Sequence, residues 1–127
     1  MQNTLRIPAF VLSGVVLASL AFATTANAET PATAPAADVL EEGKKIAFDR
    51  KKGNCLACHM IMGGDLPGTI GPPLIAMKAR FPDKAKLRAQ IADARTVNPD
   101  TIMIPFGAHG VLTAEEIDKV TDYIYSL

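Results

Sequence analysis

Five consecutive residues, Cys55-Leu56-Ala57-Cys58-His59, constrain this chain more than any other feature, because its 127 residues contain only these two cysteines. Two thiols three positions apart, followed at once by an imidazole, can serve three chemistries. One is a redox dithiol, but that usage belongs with a strand-containing βαβ setting, and no segment here alternates convincingly with period two. Another is a zinc site, which needs four ligands. Beyond these three side chains only His109 offers a soft or imidazole donor, and His59 follows Cys58 too closely for easy tetrahedral geometry. The third is covalent attachment of haem: the thiols reach the two vinyl groups on one side of a porphyrin, and the histidine turns its imidazole under the iron. The residues favour this last reading, one haem c bonded to Cys55 and Cys58 with His59 as an axial ligand.

The beginning of the chain agrees with it. Arg6 gives a short basic start, Ile7 to Ala23 is almost entirely apolar or small, and Ala26-Asn27-Ala28 has the small-x-small pattern of a cleavage site. Residues 1–28 are therefore expected to be a signal peptide, with the mature chain starting at Glu29. The apolar run approaches the length of a membrane span, but it lacks charges on its far side and ends in the cleavage pattern, so no membrane contact is expected after removal. The destination is the periplasm, where haem can be joined to the cysteines before they oxidise. Residues 29–37 alternate Ala, Pro and Thr and read as a flexible leader, leaving 38–127 as one small domain. The chain has no Trp, two Tyr and five Phe, a poor stock for a core of this size. A large planar apolar cofactor at the centre would supply what is missing, as in a protein that folds well only when loaded. Lys and Arg number 13 against 13 Asp and Glu. No basic stripe suggests nucleic acid, and no strong field suggests long-range steering of a charged partner.

Within the domain the periodicity predicts a helix over Asp38–Arg50, with Asp38 as N-cap and Leu40, Gly43, Ile46 and Ala47 along one face. A Gly- and Pro-rich loop follows His59 as far as Pro73. A short helix is expected over Leu74–Arg80, and a second from Pro82, a first-turn proline, to about Ala94. Asn98-Pro99 opens another loop. Thr113 and Glu116 then form a capping box for a last helix that aligns Ile117, Val120 and Ile124. The expected fold class is all-α.

A second axial ligand can come from three residues. Met60 and Met62 stand beside His59 and cannot reach the opposite face of the ring. Met77 has helical spacing with Leu74 and Phe81, where a methionine usually fills core. Met103 lies in the loop Thr101 to Gly107, between Pro99 and Pro105, and such a loop can present a thioether rigidly. His109 is a known ligand type but reads first as a surface residue near the haem edge. On residues alone all three stay open.

The chain resembles the SoxX cytochromes, the single-haem proteins of the bacterial sulfur-oxidising system, from about Gly53 to its C-terminus. The resemblance is carried by Cys55 to His59, Gly63-Gly64-Asp65-Leu66-Pro67-Gly68, Ile70-Gly71-Pro72-Pro73-Leu74, Met77 through Asp83, Phe106-Gly107-Ala108-His109, and Leu112 through Asp118. It implies a small class I-like cytochrome c domain, helices and loops wrapped around one covalent haem. It also implies His59 and Met103 as the axial ligands, and Pro72 as the residue whose carbonyl accepts from His59. The family usually has two prolines directly after the ligand methionine; here Ile104 replaces the first, which loosens that loop.

By the same resemblance the chain pairs with a SoxA-like haem protein in the periplasm. That complex, an L-cysteine S-thiosulfotransferase, oxidatively couples thiosulfate to a cysteine of a carrier protein. The reacting site lies in the partner; this chain is no enzyme alone, and it passes electrons to a soluble cytochrome. Its own residues agree, since both thiols are used by the haem and none remains as a nucleophile. The Gly63–Thr69 loop, with few bulky side chains, would let a partner approach the haem edge. Two other readings are a stand-alone soluble electron shuttle, which would lack a stable haem partner, and a haem enzyme or gas sensor, which would need an exchangeable sixth position. From the small core, the haem-free chain is expected to be largely unfolded; a thermal scan of it should show no cooperative transition.

Overall fold

The structure, a computed structural model, describes residues 35–127. The expected signal peptide, 1–28, and most of the leader lie outside the described residues. Among those described there are helices, turns and loops and no β-strand, so the fold is all-α, as expected. Nor is any described helix long and apolar enough to cross a membrane.

The first and last helices form the frame. Helix α1, Ala37–Phe48, buries Gly43 and Ala47. Helix α4, Ala114–Tyr125, buries Ile117, Val120, Thr121, Tyr123 and Ile124. They cross at Gly43. A Cβ there would lie 2.7 Å from the Lys119 carbonyl carbon and 2.9 Å from the Tyr123 Cβ, so only glycine lets the backbones meet. Beside the crossing, the rings of Phe48 and Tyr123 pack edge to face, 6.0 Å apart and 80° inclined. The one buried polar side chain among the described residues, Thr121, donates to the Ile117 carbonyl at 2.7 Å and so carries no unpaired hydroxyl.

Two shorter helices complete the wall. Helix α2, Met77–Arg80, buries Met77, and α3, Lys84–Ala92, lays Leu87 and Ile91 against the core. Salt bridges join Lys84 to Asp122 at 2.5 Å and Arg88 to Asp118 across α3 and α4. Lys119 reaches both Glu115 and Glu42 at 2.8 Å, and those carboxylates hold its ammonium well above the ordinary range.

Helix existence follows the sequence closely; helix ends do not. The helix begins at Ala37, which puts Asp38 in its first turn, facing the positive end of the dipole, rather than at the cap. It stops at Phe48 because Asp49 turns extended and takes over the following amides. Its carboxylate accepts from Lys51 N–H at 2.8 Å, and its carbonyl from the Lys52 and Asn54 amides at 3.0 Å each. The expected helix over Leu74–Arg80 shrinks to α2, because Ala76 is left-handed (φ 49°) and the Met77 amide donates to the Leu127 carbonyl at 2.9 Å. Pro82 is not in a first turn: Asp83 caps α3 by accepting from the Ala85 amide at 2.9 Å. At the other end the Asp93 carboxylate accepts from the Arg95 amide at 3.1 Å and starts a separate 3-10 turn, Ala94–Thr96. The capping box forms as expected, Glu116 N–H to Thr113 Oγ1 at 3.2 Å and Thr113 N–H to Glu116 Oε2 at 3.0 Å.

The crossing sets two effects against each other. Gly43→Ala gains about 1 kcal/mol of helix propensity, but the new methyl meets backbone that no rotamer change can move, and overpacking costs about 1–3 kcal/mol. The haem-loaded variant is expected to melt several degrees below wild type, at about 4–8 °C per kcal/mol for a domain of this size. A higher melting temperature would show that the helices part cheaply.

Candidate functional site

After α1 the chain makes the Asp49 turn and passes through Asn54, held left-handed (φ 45°, ψ 36°), a conformation that Asn tolerates better than most residues. That bend starts a 3-10 turn over Cys55–Ala57, closed by Cys58 N–H to the Cys55 carbonyl at 3.2 Å. The His59 amide reaches the same carbonyl at 2.9 Å. Side chains three apart eclipse in such a turn, so Cys55 and Cys58 share a face, and both line one cavity with His59.

A strap built from the Gly- and Pro-rich loop fixes this turn from outside. Gly68 N–H donates to the Leu56 carbonyl at 2.7 Å, Gly71 N–H to Cys58 at 2.8 Å, and Leu74 N–H to Met60 at 2.9 Å. The strap also seats the imidazole. His59 Nδ1 donates to the Pro72 carbonyl at 2.7 Å; a carbonyl can only accept, so Nδ1 carries the proton and Nε2 keeps its lone pair. Gly71 lies against the ring, where a Cβ would come within 2.6 Å of Nδ1 and 2.9 Å of Nε2.

The cavity has a volume of about 580 Å³, within the range of small-molecule and cofactor sites. Apolar side chains from all three later α-helices wall it, Met77 and Phe81 around α2, Leu87 and Ile91 of α3, Val120 and Ile124 of α4, while Arg50, Lys51, Lys52 and Arg80 bring positive charge to its lining. Burial pushes the Cys55 thiol up to about 11. A redox or nucleophilic cysteine needs the opposite shift. Among the described residues no three His, Cys, Asp or Glu side chains converge as a cage for an ion. Two thiols on one face, one imidazole with a free lone pair, and an apolar cleft beside them fit a covalently held haem.

The structure sorts the candidates for the second axial position by place. Met103 is half-buried, lines the cavity, and has its amide donating to Thr101 Oγ1 at 3.2 Å in a local turn. Met77 also borders the cavity, but it is 1% exposed within the core and its sulfur is 3.5 Å from Arg80 Nη1. His109 is exposed and outside the lining, as are Met60 and Met62. Sequence reasoning passed over two contributors. Arg80 donates to the Pro73 carbonyl at 2.7 Å, a contact with no signature in spacing. The close approach of Gly71 to the ring had one signal, a glycine placed directly before two prolines.

Gly71→Ala is expected to push the His59 ring off its seat and break the bond to Pro72. In haem-loaded protein the ring N–H should then exchange with solvent on the order of tenfold faster, the equivalent of one hydrogen bond. NMR of the reduced state reads it, and an unchanged rate would mean the strap yields instead of the ring.

Known proteins resemble the chain at three levels. The cytochrome c family model matches residues 40–127. An uncharacterized lipoprotein of Aquifex aeolicus (strain VF5) is 37% identical over 79 residues, 59% of this chain and 37% of that protein. The CcoP subunit of a cbb3-type cytochrome c oxidase from Azospirillum sp. (strain B510) is 36% identical over 81 residues, 58% of this chain and 27% of that protein. The chain thus spans about a third of the length of these curated relatives. The crystal structure of SoxXA from P. pantotrophus superposes with a TM-score of 0.62 at 30% identity, covering 68% of this chain and 79% of that one. The family match takes in nearly all of the helical domain, and the SoxXA likeness is one of both fold and sequence: the chain belongs to the cytochrome c family, as a SoxX-like electron-transfer cytochrome.

Proposed function

We propose that the chain is the single-haem, electron-transferring subunit of a periplasmic SoxAX-type complex. Cys55 and Cys58 hold the haem as thioethers, and His59 and Met103 are its axial ligands. The observation that carries this reading is the fixed imidazole: with Nδ1 committed to Pro72 at 2.7 Å, Nε2 is the nitrogen left to bind iron. When bound, the haem supplies one-electron exchange, at a potential that a thioether ligand raises. The work of the chain's own residues is to hold both axial positions and keep water away. His59 is braced by Gly71 and Pro72, while Met103 is offered from the loop before Pro105. With both positions filled from within the chain, none is open to substrate, which suits an electron carrier and not a catalyst.

The partner reading draws support from the surface around the cleft. Residues 59–77 contain one ionisable residue besides His59, namely Asp65. Leu66 at 95%, Ile70 at 66% and Ile102 at 79% are exposed there. On this side of the cleft, opposite the cationic Arg50–Lys52 stretch in its lining, an apolar surface with so few charges suits lasting contact with a second protein. The partner is a SoxA-like haem protein, in which thiosulfate is coupled oxidatively to a carrier-protein cysteine. That coupling releases two electrons, which this chain takes one at a time and hands to a soluble cytochrome.

The deciding experiment is a visible to near-infrared spectrum of haem-loaded protein, wild type beside Met103→Ala. A low-spin wild type with the red thioether-to-iron band, lost in the variant, is the expected result. A variant spectrum identical to wild type would move the ligand to Met77 or His109, and a high-spin wild type would replace electron transfer by ligand binding or catalysis.

A further inference from the structure

Pro72 and Pro73 have no backbone N–H, so neither can anchor itself through a donor of its own. The pair is held at its ends by the Gly71 and Leu74 amides, at 2.8 and 2.9 Å from their acceptors on Cys58 and Met60. The prolines themselves have only their two carbonyls to bond with. That of Pro72 accepts from His59 Nδ1 at 2.7 Å, and that of Pro73 accepts from Arg80 Nη1, also at 2.7 Å. The same Nη1 lies 3.5 Å from the sulfur of the core residue Met77. Arg80, the last residue of α2, thus ties the proline pair to the wall of the cleft.

We infer that Arg80 is a positioning residue for His59. The ring of Pro73 locks its φ near −65°, so ψ of Pro73 is the one soft torsion between the Pro72 peptide plane and the Pro73 carbonyl, and Arg80 restrains it by holding that carbonyl. The Pro72 carbonyl then keeps its aim at Nδ1, and with it the orientation and electron donation of the imidazole. A guanidinium suits the task because it never loses its charge, and one of its planar amino groups has two N–H bonds to turn toward the carbonyl and the thioether together. The inference rests on the reading of His59 as an axial ligand.

The test uses haem-loaded protein, wild type beside Arg80→Gln and Arg80→Lys. It reads solvent exchange of the His59 ring N–H by NMR in the reduced state, together with the reduction potential. Exchange is expected to quicken on the order of tenfold in Arg80→Gln, and less in Arg80→Lys, which keeps a donor without the fork. The potential separates positioning from charge. Losing a cation near iron favours the oxidised form and lowers the potential, whereas a less basic imidazole raises it. Wild-type exchange in both variants overturns the role, including when the potential of Arg80→Gln falls, because charge alone then explains the residue. A wild type that is not low-spin overturns the ligand reading first and this inference with it. If Arg80→Gln does not mature, Arg80→Lys decides alone: faster exchange supports the role and equal exchange overturns it.

Discussion

The arrangement around the cleft depends on one packing contact, the backbone of Gly71 lying against the imidazole of His59. A ring on a short side chain has two torsions to settle, and a single hydrogen bond leaves it free to pivot about that bond. Contact on the ring removes the pivot. The bond from Nδ1 to Pro72 then fixes the tautomer as well as the angle. Because Gly71 is itself bonded to the Cys58 carbonyl, ring, cysteine turn and strap form one closed unit.

That unit needs a frame that does not shift, and apolar packing between α1 and α4 supplies it. Burying Ile117, Val120 and Ile124 contributes about 1.5–3 kcal/mol each, and the Phe48–Tyr123 edge contact about 0.5–1.5 kcal/mol beyond its area. The salt bridges between α3 and α4 and around Lys119 sit at the surface, where such a pair is worth about 0–1 kcal/mol. They are better understood as setting how the helices slide past each other than as holding them together. The wall they steady is the one that Leu87, Ile91, Val120 and Ile124 present to the cleft.

What could be read in the sequence was local, and what could not was set by contacts far along the chain. The capping box of Thr113 and Glu116 spans four residues and forms as read. The Cys55 to His59 motif is as local, but the 3-10 turn that carries it was not foreseen, because it starts from the left-handed Asn54. The end of α3 was not, because the Asp93 side chain competes with the helix for the next amide. Neither was the start of α2, where a left-handed Ala76 hands the Met77 amide to Leu127, fifty positions on. In the cleft, the bond between His59 and Pro72 joins residues 13 apart. Family likeness suggested it; spacing alone did not. Arg80 was invisible for a further reason, since an exposed arginine on a four-residue helix looks like any solvated charge until its acceptor is seen.

The strap closes over the cysteine turn from the C-terminal side alone. In the closed form Cys55 is a half-buried, reluctant thiol, pushed up to about 11, far from the ordinary cysteine value of about 8.5. The three backbone bonds that close the strap are donated by Gly68, Gly71 and Leu74, all of which follow the cysteines in the chain. Those donors lie within sixteen positions of Cys58, so strap and turn make one contiguous stretch of chain. The strap is therefore a local latch on the turn, closed without help from either terminal helix.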